Sequence, residues 1–394
     1  MAPPRILLVI LAGGAGGRLE LLTRDRAKPA VPYGGMFRLI DFPLSNAANS
    51  GLSDVWVIQQ FNPVSLSGHL SNGRPWDLDR TQGGLLTLQP HPGHDRGGWH
   101  SGTADALWRN TPLLREFNPD ALVVVSADAV YRLDYFDLVQ AHRDAGAVAT
   151  MVTARVAEQD AGRYGVVRVE AGEVRDYTYK PDEPEGNLVS NEVFVFHPQR
   201  VLDELEDIAG EEPEDGLADL GTQLLPRLVA SGGVREHRFD GYWRDVGTVE
   251  AYWASHMDLL ADPPKFALFD RSWPLSTQGG DNAPARVAAG ASVVDCLLSP
   301  ESHLAGSAER SVLSPGVVVE AGASVVESIL LPGAVVRSGA RVERAVLDDG
   351  VEVSSGATVG GPDAVSLLGR RAQVEADATI KAGSRFPQDG PEQR

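Results

Sequence analysis

The sequence predicts two domains, an α/β domain with a mixed, mostly parallel sheet followed by a parallel β-helix. Three observations predict this architecture. Residues 1–262 alternate short apolar strand segments with helix segments. Residues 284–386 lose the helix signals and repeat their glycine and valine positions at a fixed step. The length of 394 residues exceeds what a single hydrophobic core ordinarily uses.

The apolar runs of the first domain predict six strands, and the stretches between them predict five helices. The strands are expected at Ile6–Leu11, Val55–Gln60, Ala121–Ser126, Val148–Ala154, Gly165–Val169 and Val193–Phe196. The helices are expected at Pro43–Ser50, Thr103–Phe117, Tyr135–Ala145, Val201–Ile208 and Leu220–Ser231. Buried strands joined by helices favour a three-layer arrangement.

The C-terminal repeat has a step of 17 residues, which relates Gly316, Gly333 and Gly350 and also Val319, Val336 and Val353. Within each step the turns recur six residues apart, as in a three-sided coil with one short side. An irregular Gly/Val-rich β-sandwich is the alternative. We expect residues 263–283 to be a linker and residues 387–394 to be a disordered tail.

Composition excludes several classes of function. The net charge of −19, from 35 basic and 54 acidic side chains, disfavours nucleic acid as a partner. The single cysteine, Cys296, rules out an intramolecular disulfide framework and fits a reducing compartment. The N-terminal apolar run is too short for a membrane span. We therefore expect no membrane association and a cytoplasmic location.

The first apolar run ends in Gly13, Gly14, Gly16 and Gly17, and Arg18 follows. Glycines allow backbone N–H groups to approach phosphate oxygens closely, and a guanidinium group adds a delocalised charge. A tight strand-to-helix turn is the alternative explanation. Asp128 comes directly after a second apolar strand, where ligands bind in open α/β sheets, although a turn-forming aspartate gives the same pattern.

At fixed spacing the loop is followed by Lys28-Pro29, Gly34-Gly35, Arg38 and the run from Asp41 to Asn46. This block resembles the sugar-1-phosphate nucleotidylyltransferases, and among them most the bacterial ADP-glucose pyrophosphorylase (glucose-1-phosphate adenylyltransferase) branch. Residues 242–248 read Y-W-R-D-V-G-T and residues 102–106 read G-T-A-D-A, as the family's blocks do. The resemblance implies a Rossmann-like nucleotidyltransferase domain, a left-handed β-helix and a homotetramer.

The resemblance also implies roles for individual residues. The catalytic residues would be Arg18, Asp128, Lys180 and Asp245, with Asp128 and Asp245 as ligands of Mg²⁺. The nucleotide would bind at Leu11, Ala12, Gly13, Gly14, Gly16, Gly17, Gly102 and Thr103. The substrate would bind at Lys28, Gly165, Tyr179, Lys180, Ser190 and Glu192. Lys28 would contact an anion, which belongs either to a substrate or to a regulator.

The implied reaction joins ATP, or another nucleoside triphosphate, to a hexose 1-phosphate, in the first instance glucose 1-phosphate. Pyrophosphate leaves, and the nucleotide sugar feeds glycogen or a related α-glucan. The protein's part is to orient two anions and to neutralise their charge. Magnesium suits this task because it binds one or two carboxylates together with phosphate oxygens.

The sequence departs from the family at positions that read the sugar and the base. Tyr179 replaces the glutamate of the family's E-K-P motif, and Glu192 introduces a carboxylate where the family has S-M-G. The family's P-A-Q-Q-R has no clean counterpart in residues 88–94. These departures leave two alternatives to the adenylyltransferase: a regulatory paralogue without turnover, and an enzyme for another sugar 1-phosphate or base.

Overall fold

A computed structural model describes residues 4–14, 16–90, 98–211, 216–279 and 283–387 of the chain. The chain divides into two compact units. The sheet unit comprises Met1–Gly14 and Phe42–Trp243, and the β-helix unit comprises Ala15–Asp41 and Arg244–Arg394. The sequence predicts domains that are continuous segments of the chain, whereas each of these units combines two segments. The predicted domain limits therefore stay a prediction. Of the tail expected to be disordered, residues 388–394 lie outside the described part.

The elements are numbered in chain order. The strands before the β-helix are β1 (Ile6–Ala12), β2 (Pro32–Tyr33), β3 (Phe37–Arg38), β4 (Asp54–Gln59), β5 (Gly84–Leu88), β6 (Ala121–Ser126), β7 (Ala129–Tyr131), β8 (Ala149–Arg155), β9 (Gly165–Glu170), β10 (Glu173–Tyr179), β11 (Leu188–Phe196), β12 (Val234–Arg238) and β13 (Trp243–Asp245). The α-helices are α1 (Asp41–Asn49), α2 (Pro63–Leu70), α3 (Thr103–Arg109), α4 (Thr111–Phe117), α5 (Tyr135–Asp144), α6 (Pro198–Glu211), α7 (Leu225–Ser231) and α8 (Val249–Leu259). Short 3-10 turns occupy Gly17–Thr23, Lys28–Ala30, Arg74–Trp76 and Glu158–Arg163, and a π-helical turn occupies Leu220–Leu224.

The sheet unit is built on a nine-stranded sheet in the order β5-β4-β1-β6-β11-β8-β12-β10-β9. Strands β5, β4, β1 and β6 run parallel to one another, as do β8 and β12. Strand β11 runs antiparallel to both β6 and β8, and β10 pairs antiparallel with β12 and β9. The predicted mixed sheet is confirmed. The parallel strands β5, β4, β1 and β6 form one side of it, and the antiparallel hairpin of β10 and β9 forms the other edge.

Two predicted helices are interrupted where a proline follows the break. The helix expected over Thr103–Phe117 ends at Arg109 and restarts at Thr111, with Pro112 in the first turn of α4. The helix expected over Leu220–Ser231 begins as a π-helical turn and becomes α7 only at Leu225, with Pro226 at its start. Proline lacks an N–H group and clashes with the preceding turn, so each begins a new helix.

Residues 283–387 of the β-helix unit form eighteen short strands. They are β14 (Arg286–Val287), β15 (Ser292–Val294), β16 (Leu297–Leu298), β17 (His303–Leu304), β18 (Ser307–Glu309), β19 (Val312–Leu313), β20 (Val318–Val319), β21 (Ser324–Val326), β22 (Ile329–Leu330), β23 (Val335–Val336), β24 (Arg341–Glu343), β25 (Ala345–Leu347), β26 (Glu352–Val353), β27 (Thr358–Gly360), β28 (Ser366–Leu368), β29 (Gln373–Val374), β30 (Thr379–Lys381) and β31 (Arg385–Phe386). Every third strand pairs in parallel, which gives three six-stranded sheets. This arrangement is consistent with the predicted left-handed β-helix and excludes the antiparallel sandwich.

The coil step agrees with the sequence repeat. Val319 pairs with Val336, and Val336 pairs with Val353, each 17 residues further along the chain. The step is shorter in an early coil, at 15 residues between Leu304 and Val319. It is longer, at 21 residues, between Val353 and Val374, where residues 361–365 form an inserted loop. At the corners Gly316, Gly333 and Gly350 have φ of 73°, 72° and 66°, a left-handed conformation that glycine adopts without strain.

The inside of the β-helix is filled by stacked Val, Ala and Leu side chains, with one ladder of buried hydroxyl groups. The Ser311 hydroxyl accepts the Ser328 N–H at 3.1 Å, and the Ser328 hydroxyl accepts the Ala345 N–H at 3.1 Å. These bonds satisfy buried polar groups at the same corner of successive coils. None of the helices in the described ranges combines the length and apolar character that crossing a bilayer requires.

His256 is a buried neutral histidine in the β-helix unit. Its Nδ1 lies 2.8 Å from the Tyr252 carbonyl oxygen, and its Nε2 accepts the Gly34 N–H at 3.0 Å. These partners fix the tautomer that carries its proton on Nδ1. Burial lowers the pKa of His256 to about 4, against the opposing effect of its bond to Tyr252.

We expect His256 to make the protein less stable as the pH falls from about 6.5 towards 4. The unfolded chain takes up a proton in this range that the folded chain does not, which costs about 2 kcal/mol at pH 5. Urea unfolding at pH 7.5 and pH 5 measures the loss. The His256→Asn variant, which retains a donor for Tyr252, should show a smaller difference between the two pH values. An equal difference in both proteins would refute the assignment.

Candidate functional site

The carboxyl edge of the sheet carries the first group of predicted site residues. Strand β1 pairs in parallel with β4 on one side and β6 on the other, matching Ala12 with Gln59 and Leu11 with Ser126. The residues that follow these strands therefore lie at one edge of the sheet. They include Gly13 and Gly14 after β1 and Asp128 after β6.

Glycine is required for different reasons at different positions of the glycine-rich loop, residues 13–17. Gly16 has φ of 70°, and a Cβ there would lie 3.0 Å from both the Lys28 Cβ and the Thr23 Cγ2. Its small size is required by the fold of the β-helix unit. A Cβ on Gly14 or on Gly17 would meet no described protein atom within 4 Å. The space beside these two residues suits a ligand that approaches the backbone closely.

Asp128 is half-buried at the end of β6, and its carboxylate is held from one side. The Ser126 hydroxyl donates a hydrogen bond to Asp128 Oδ1. This bond fixes the carboxylate at the sheet edge. The hydroxyl groups of Tyr131 in β7 and Tyr135 in α5 are buried 2.7 Å apart.

In the β-helix unit, Arg18, Lys28 and Asp245 come together around Gly247. Lys28 Nζ lies 3.9 Å from Asp245 Oδ1, and both side chains are largely buried. A Cβ on Gly247 would lie 2.8 Å from Asp245 Oδ2 and 3.3 Å from Arg18 Nη2. The bare backbone of Gly247 thus lets a carboxylate and a guanidinium approach one point, an arrangement that the sequence alone does not reveal.

Asp245 is positioned by the start of a helix. Three residues after it, Thr248 caps α8, and its hydroxyl accepts the Ala251 N–H at 3.1 Å. Such a cap fixes the direction in which the chain enters the helix. The carboxylate of Asp245 is consequently presented from a defined backbone position rather than from a loose loop.

Replacing Gly247 by alanine should lower turnover by about 10²-fold, because a new methyl group at 2.8 Å from Asp245 Oδ2 displaces the carboxylate. Initial rates and thermal unfolding of the purified variant measure the effect. Gly210→Ala is the matched control, since a Cβ there meets no described atom within 4 Å. A Gly247→Ala variant as active as Gly210→Ala would show that the close approach is unimportant.

Gly102 and Thr103 lie against a neighbouring segment of the sheet unit. A Cβ on Gly102 would lie 2.4 Å from the Ala218 carbonyl oxygen. The N–H and hydroxyl groups of Thr103 both donate to Asp219 Oδ1 at 3.2 Å, and the Ala104 N–H donates to Ala218 O at 2.9 Å. These amides already have acceptors, and the sequence offers no signal for Asp219 as their partner.

Asp105, the acid of the G-T-A-D-A block, has structural partners. Its Oδ2 accepts the Ser101 N–H at 2.9 Å and the Arg109 Nε–H at 2.9 Å. Asp105 is 3% exposed, so the ion pair is inside the fold. These bonds give Asp105 a structural role at the start of α3.

Tyr179 is the last residue of strand β10, and Lys180 follows it. Lys180 Nζ donates to the Tyr179 hydroxyl at 2.6 Å and lies 4.4 Å from the centre of its ring. A Cβ on Gly221 would lie 2.3 Å from the Tyr179 ring, so this glycine makes room for the ring. Burial raises the pKa of Tyr179, so its hydroxyl keeps its proton and Lys180 provides the positive charge.

The remaining predicted sugar-binding residues are placed by strand irregularities. Gly165 lies beneath Tyr177, where a Cβ would come within 2.5 Å of the ring, which gives this glycine a packing role. The register of β11 against β8 is interrupted between Ser190 and Phe194. In that bulge Glu192 has φ of 59°, and its N–H donates to the Ser190 hydroxyl at 3.2 Å.

The described residues contain no cluster of three or more His, Cys, Asp or Glu side chains able to hold a metal ion by themselves. A metal bound through one or two carboxylates needs further oxygen ligands from a substrate or water. Mg²⁺ is normally bound in this way in phosphoryl-transfer sites. The carboxylates of Asp128 and Asp245 fit this ion better than they fit zinc, which prefers nitrogen and sulfur ligands.

Comparison with known proteins agrees with this chemistry. The family model described as nucleotidyl transferase matches residues 7–262, and the one described as GlmU-like, C-terminal hexapeptide matches residues 283–366. A glucose-1-phosphate adenylyltransferase of Thermomicrobium roseum is 43% identical over 296 residues, which span 75% of this chain and 69% of the relative. A glucose-1-phosphate adenylyltransferase of Clostridium novyi is 39% identical over 383 residues, 97% of this chain and 100% of the relative.

Proposed function

Because this chain belongs to the nucleotidyl transferase family, and within it to the glucose-1-phosphate adenylyltransferases, we propose that it transfers the adenylyl group of ATP to glucose 1-phosphate. The products are ADP-glucose, a precursor for glycogen or a related α-glucan, and pyrophosphate. The observation that carries the proposal is the gathering of Arg18 and Lys28 at Asp245. Two cations at one carboxylate suit a site that binds polyphosphate and a metal.

The proposed reaction is an in-line displacement at the α-phosphorus of ATP. An oxygen of glucose 1-phosphate forms the new bond to phosphorus, and the bond to the β-phosphate oxygen breaks. Arg18 and Lys28 bind the triphosphate, and Lys180 binds the phosphate of the sugar. Asp128 and Asp245 would each supply a carboxylate to Mg²⁺, whose charge would offset that of the phosphates.

A pyrophosphate-release assay with Mg²⁺ over a grid of nucleoside triphosphates and sugar 1-phosphates tests the function. The expected result is that ATP with glucose 1-phosphate gives the highest kcat/KM. Turnover with a different pair would assign another sugar or base to the same chemistry. If no pair reacts while ATP still raises the melting temperature, the regulatory paralogue is the correct alternative.

Tyr179 is the observation that favours altered sugar selectivity. Its hydroxyl is engaged with Lys180 at 2.6 Å, and a single hydroxyl group does not reproduce the two acceptors of a carboxylate. We expect Tyr179→Glu to raise kcat/KM for glucose 1-phosphate by about 10- to 100-fold, the value of a hydrogen bond to a charged group. Tyr179→Phe, which keeps the ring and removes the hydroxyl, is the matched control.

Glu192 is the residue that could replace the missing glutamate, since it lies in the bulge of β11 and interacts electrostatically with Tyr179. If Glu192 contacts the sugar, Glu192→Gln should abolish the selectivity that remains in the wild type. Assays of both variants with several hexose 1-phosphates separate the two possibilities. Unchanged sugar preference in Tyr179→Glu and in Glu192→Gln would remove both residues from sugar recognition.

We also propose a homotetramer with contacts through the β-helix. The first coil leaves apolar side chains at its open end, where Val287, Val293 and Val294 are 50%, 38% and 47% exposed. An open coil end exposes strand edges and apolar side chains that a second subunit can cover. Light scattering of the purified protein should then give four times the chain mass of 42.1 kDa.

The single cysteine supports a cytoplasmic location.

A further inference from the structure

Arg385, in strand β31 of the β-helix, contacts the two segments of this unit that carry proposed site residues. Its Nε and Nη2 atoms donate to the two carboxylate oxygens of Glu20, the second at 3.2 Å. Its Nη2 also donates to Glu250 Oε1 at 3.0 Å. Glu20 lies two residues after Arg18 in the chain, and Glu250 lies in the helix α8 that follows Asp245. One guanidinium group therefore joins the two segments.

The β-helix itself fixes the position of this guanidinium group. Arg385 Nη1 donates to the Val365 carbonyl oxygen at 2.7 Å and to the Gly383 carbonyl oxygen at 3.3 Å. The Arg385 side chain is 27% exposed, so most of it is shielded from water. The planar fork of arginine can bridge several acceptors at fixed angles, which the point charge of a lysine does not reproduce. The two glutamates are thus held by a group whose place is set by the coil.

Glu20 has a backbone conformation that requires support. Its φ is 53° and its ψ is −121°, a combination that a residue with a Cβ rarely adopts. Such a conformation persists only where the surrounding contacts hold it. The Thr23 hydroxyl donates to the carbonyl oxygens of Gly16 at 2.9 Å and of Glu20 at 3.2 Å, which closes the turn. Arg385 holds the Glu20 side chain of the same turn.

An apolar contact attaches the same turn to the β-helix. A Cβ on Gly369, between β28 and β29, would lie 3.3 Å from Leu21 Cδ1. The segment Gly17–Thr23 is therefore fixed to the β-helix through neighbouring residues, by charge at Glu20 and by packing at Leu21. The direction of the Arg18 side chain, which starts in this segment, depends on these contacts.

We infer that Arg385 is a positioning residue for triphosphate binding, because it holds the segment of Arg18 against the segment of Asp245. The inference rests on the proposed function and gives the C-terminal coil a part in it. Arg385 acts through its two glutamate partners and not on the substrate. Without it, the strained turn loses a contact that supports it, and the Arg18 guanidinium loses its fixed place beside Asp245. Misplacement of a binding group lowers affinity and rate even when its own chemistry is intact.

Titration calorimetry of the full chain with inorganic tripolyphosphate tests this role in Glu20→Gln and Arg385→Gln. Each variant should bind about 10-fold more weakly than the wild type, and the double variant no more weakly than Arg385→Gln, because both changes break one contact. Loss of a negative charge beside an anion site would by itself strengthen binding. Weaker binding in Glu20→Gln therefore reports positioning. Wild-type or tighter binding in Glu20→Gln, or multiplied losses in the double variant, overturns the inference.

Arg341→Gln is the matched control, since Arg341 is an exposed arginine on β24 of the same unit. It loses the same charge and should bind tripolyphosphate as the wild type does. Urea unfolding identifies a contact that is only structural. If Arg385→Gln is less stable but binds tripolyphosphate with wild-type affinity, the positioning role is wrong.

The binding experiment and the pyrophosphate-release assay fail independently. If no substrate pair reacts but both variants bind tripolyphosphate more weakly, the proposed reaction is wrong and the positioning role stands. If ATP reacts with glucose 1-phosphate and Glu20→Gln binds tripolyphosphate normally, the reaction stands and the positioning role is wrong. A wild type that does not bind tripolyphosphate also overturns the positioning role, and the release assay still decides the reaction.

Discussion

Asp128→Asn should lower the turnover number by about 10³- to 10⁵-fold, the scale on which one charge contact affects phosphoryl transfer. Asparagine keeps the size of the side chain and can still accept the hydrogen bond from the Ser126 hydroxyl. The substitution thus removes the negative charge with little change in packing. Initial rates of pyrophosphate release at saturating ATP measure the loss.

Asp144→Asn is the matched control for this experiment. Asp144 ends α5 in the same unit and is exposed, so the variant loses the same charge away from the sheet edge. We expect it to retain wild-type rates. Binding of Mn²⁺ with ATP, followed by electron paramagnetic resonance, should weaken in both Asp128→Asn and Asp245→Asn. Near wild-type turnover in Asp128→Asn would remove Asp128 from the proposed metal site.

Arg26→Met should cost about 3–5 kcal/mol of unfolding free energy in the β-helix unit, since it leaves a buried carboxylate without its cation. Arg26 Nη2 lies 2.7 Å from Asp348 Oδ1 and 3.2 Å from Asp349 Oδ2. The side chains of Arg26 and Asp348 are 6% and 1% exposed. Methionine fills a similar volume, so the loss reports the ion pair rather than a cavity.

The loss in Arg26→Met should depend on pH. Burial raises the pKa of Asp348 to about 6, although Arg26 opposes the shift. A folded-state pKa above the unfolded value means that protonation favours the fold, so this carboxyl group weakens the fold as the pH rises from about 4 through 6. Without Arg26 the charged form is still less favourable, and urea unfolding should show a larger loss at pH 8 than at pH 5.

Arg310→Met is the matched control for the buried pair. Arg310 pairs with Glu327 at 3.5 Å in the same unit, but its side chain is 42% exposed. An exposed ion pair contributes at most about 1 kcal/mol. Equal losses in Arg26→Met and Arg310→Met would show that burial of the first pair has no energetic consequence.

The strands and the 17-residue repeat of the β-helix could be predicted from the sequence, because they depend on short-range patterns. Buried runs such as Ala121–Ser126 coincide with the observed strand β6. The 17-residue step reappears in the pairing of Val319 with Val336, since stacked coils place equivalent residues in register. Helix ends were less accessible, because the break before Pro112 depends on one residue inside an otherwise helical pattern.

The candidate site was accessible only in part. Motifs located Asp245 and Lys28, but the role of Gly247 depends on a distance of 2.8 Å that no local pattern encodes. Asp219, the acceptor for Thr103, lies 116 residues away in sequence. The hydrogen bond between Gln60 and His100 joins residues 40 positions apart, and no local sequence pattern around either residue predicts it. Contacts between distant positions follow from the fold and not from periodicity.

The pairing of Arg26 with Asp348 has a consequence for the way the protein is made. The two residues are 322 positions apart. On a ribosome that adds about 5–20 residues per second, Arg26 waits about 15–65 s for its partner. Residues 15–41, which include Arg18 and Lys28, belong to a unit completed only by residues 244–394. The proposed phosphate-binding cations are therefore synthesised early but fixed in place last, and a polypeptide released early lacks the partners that hold them.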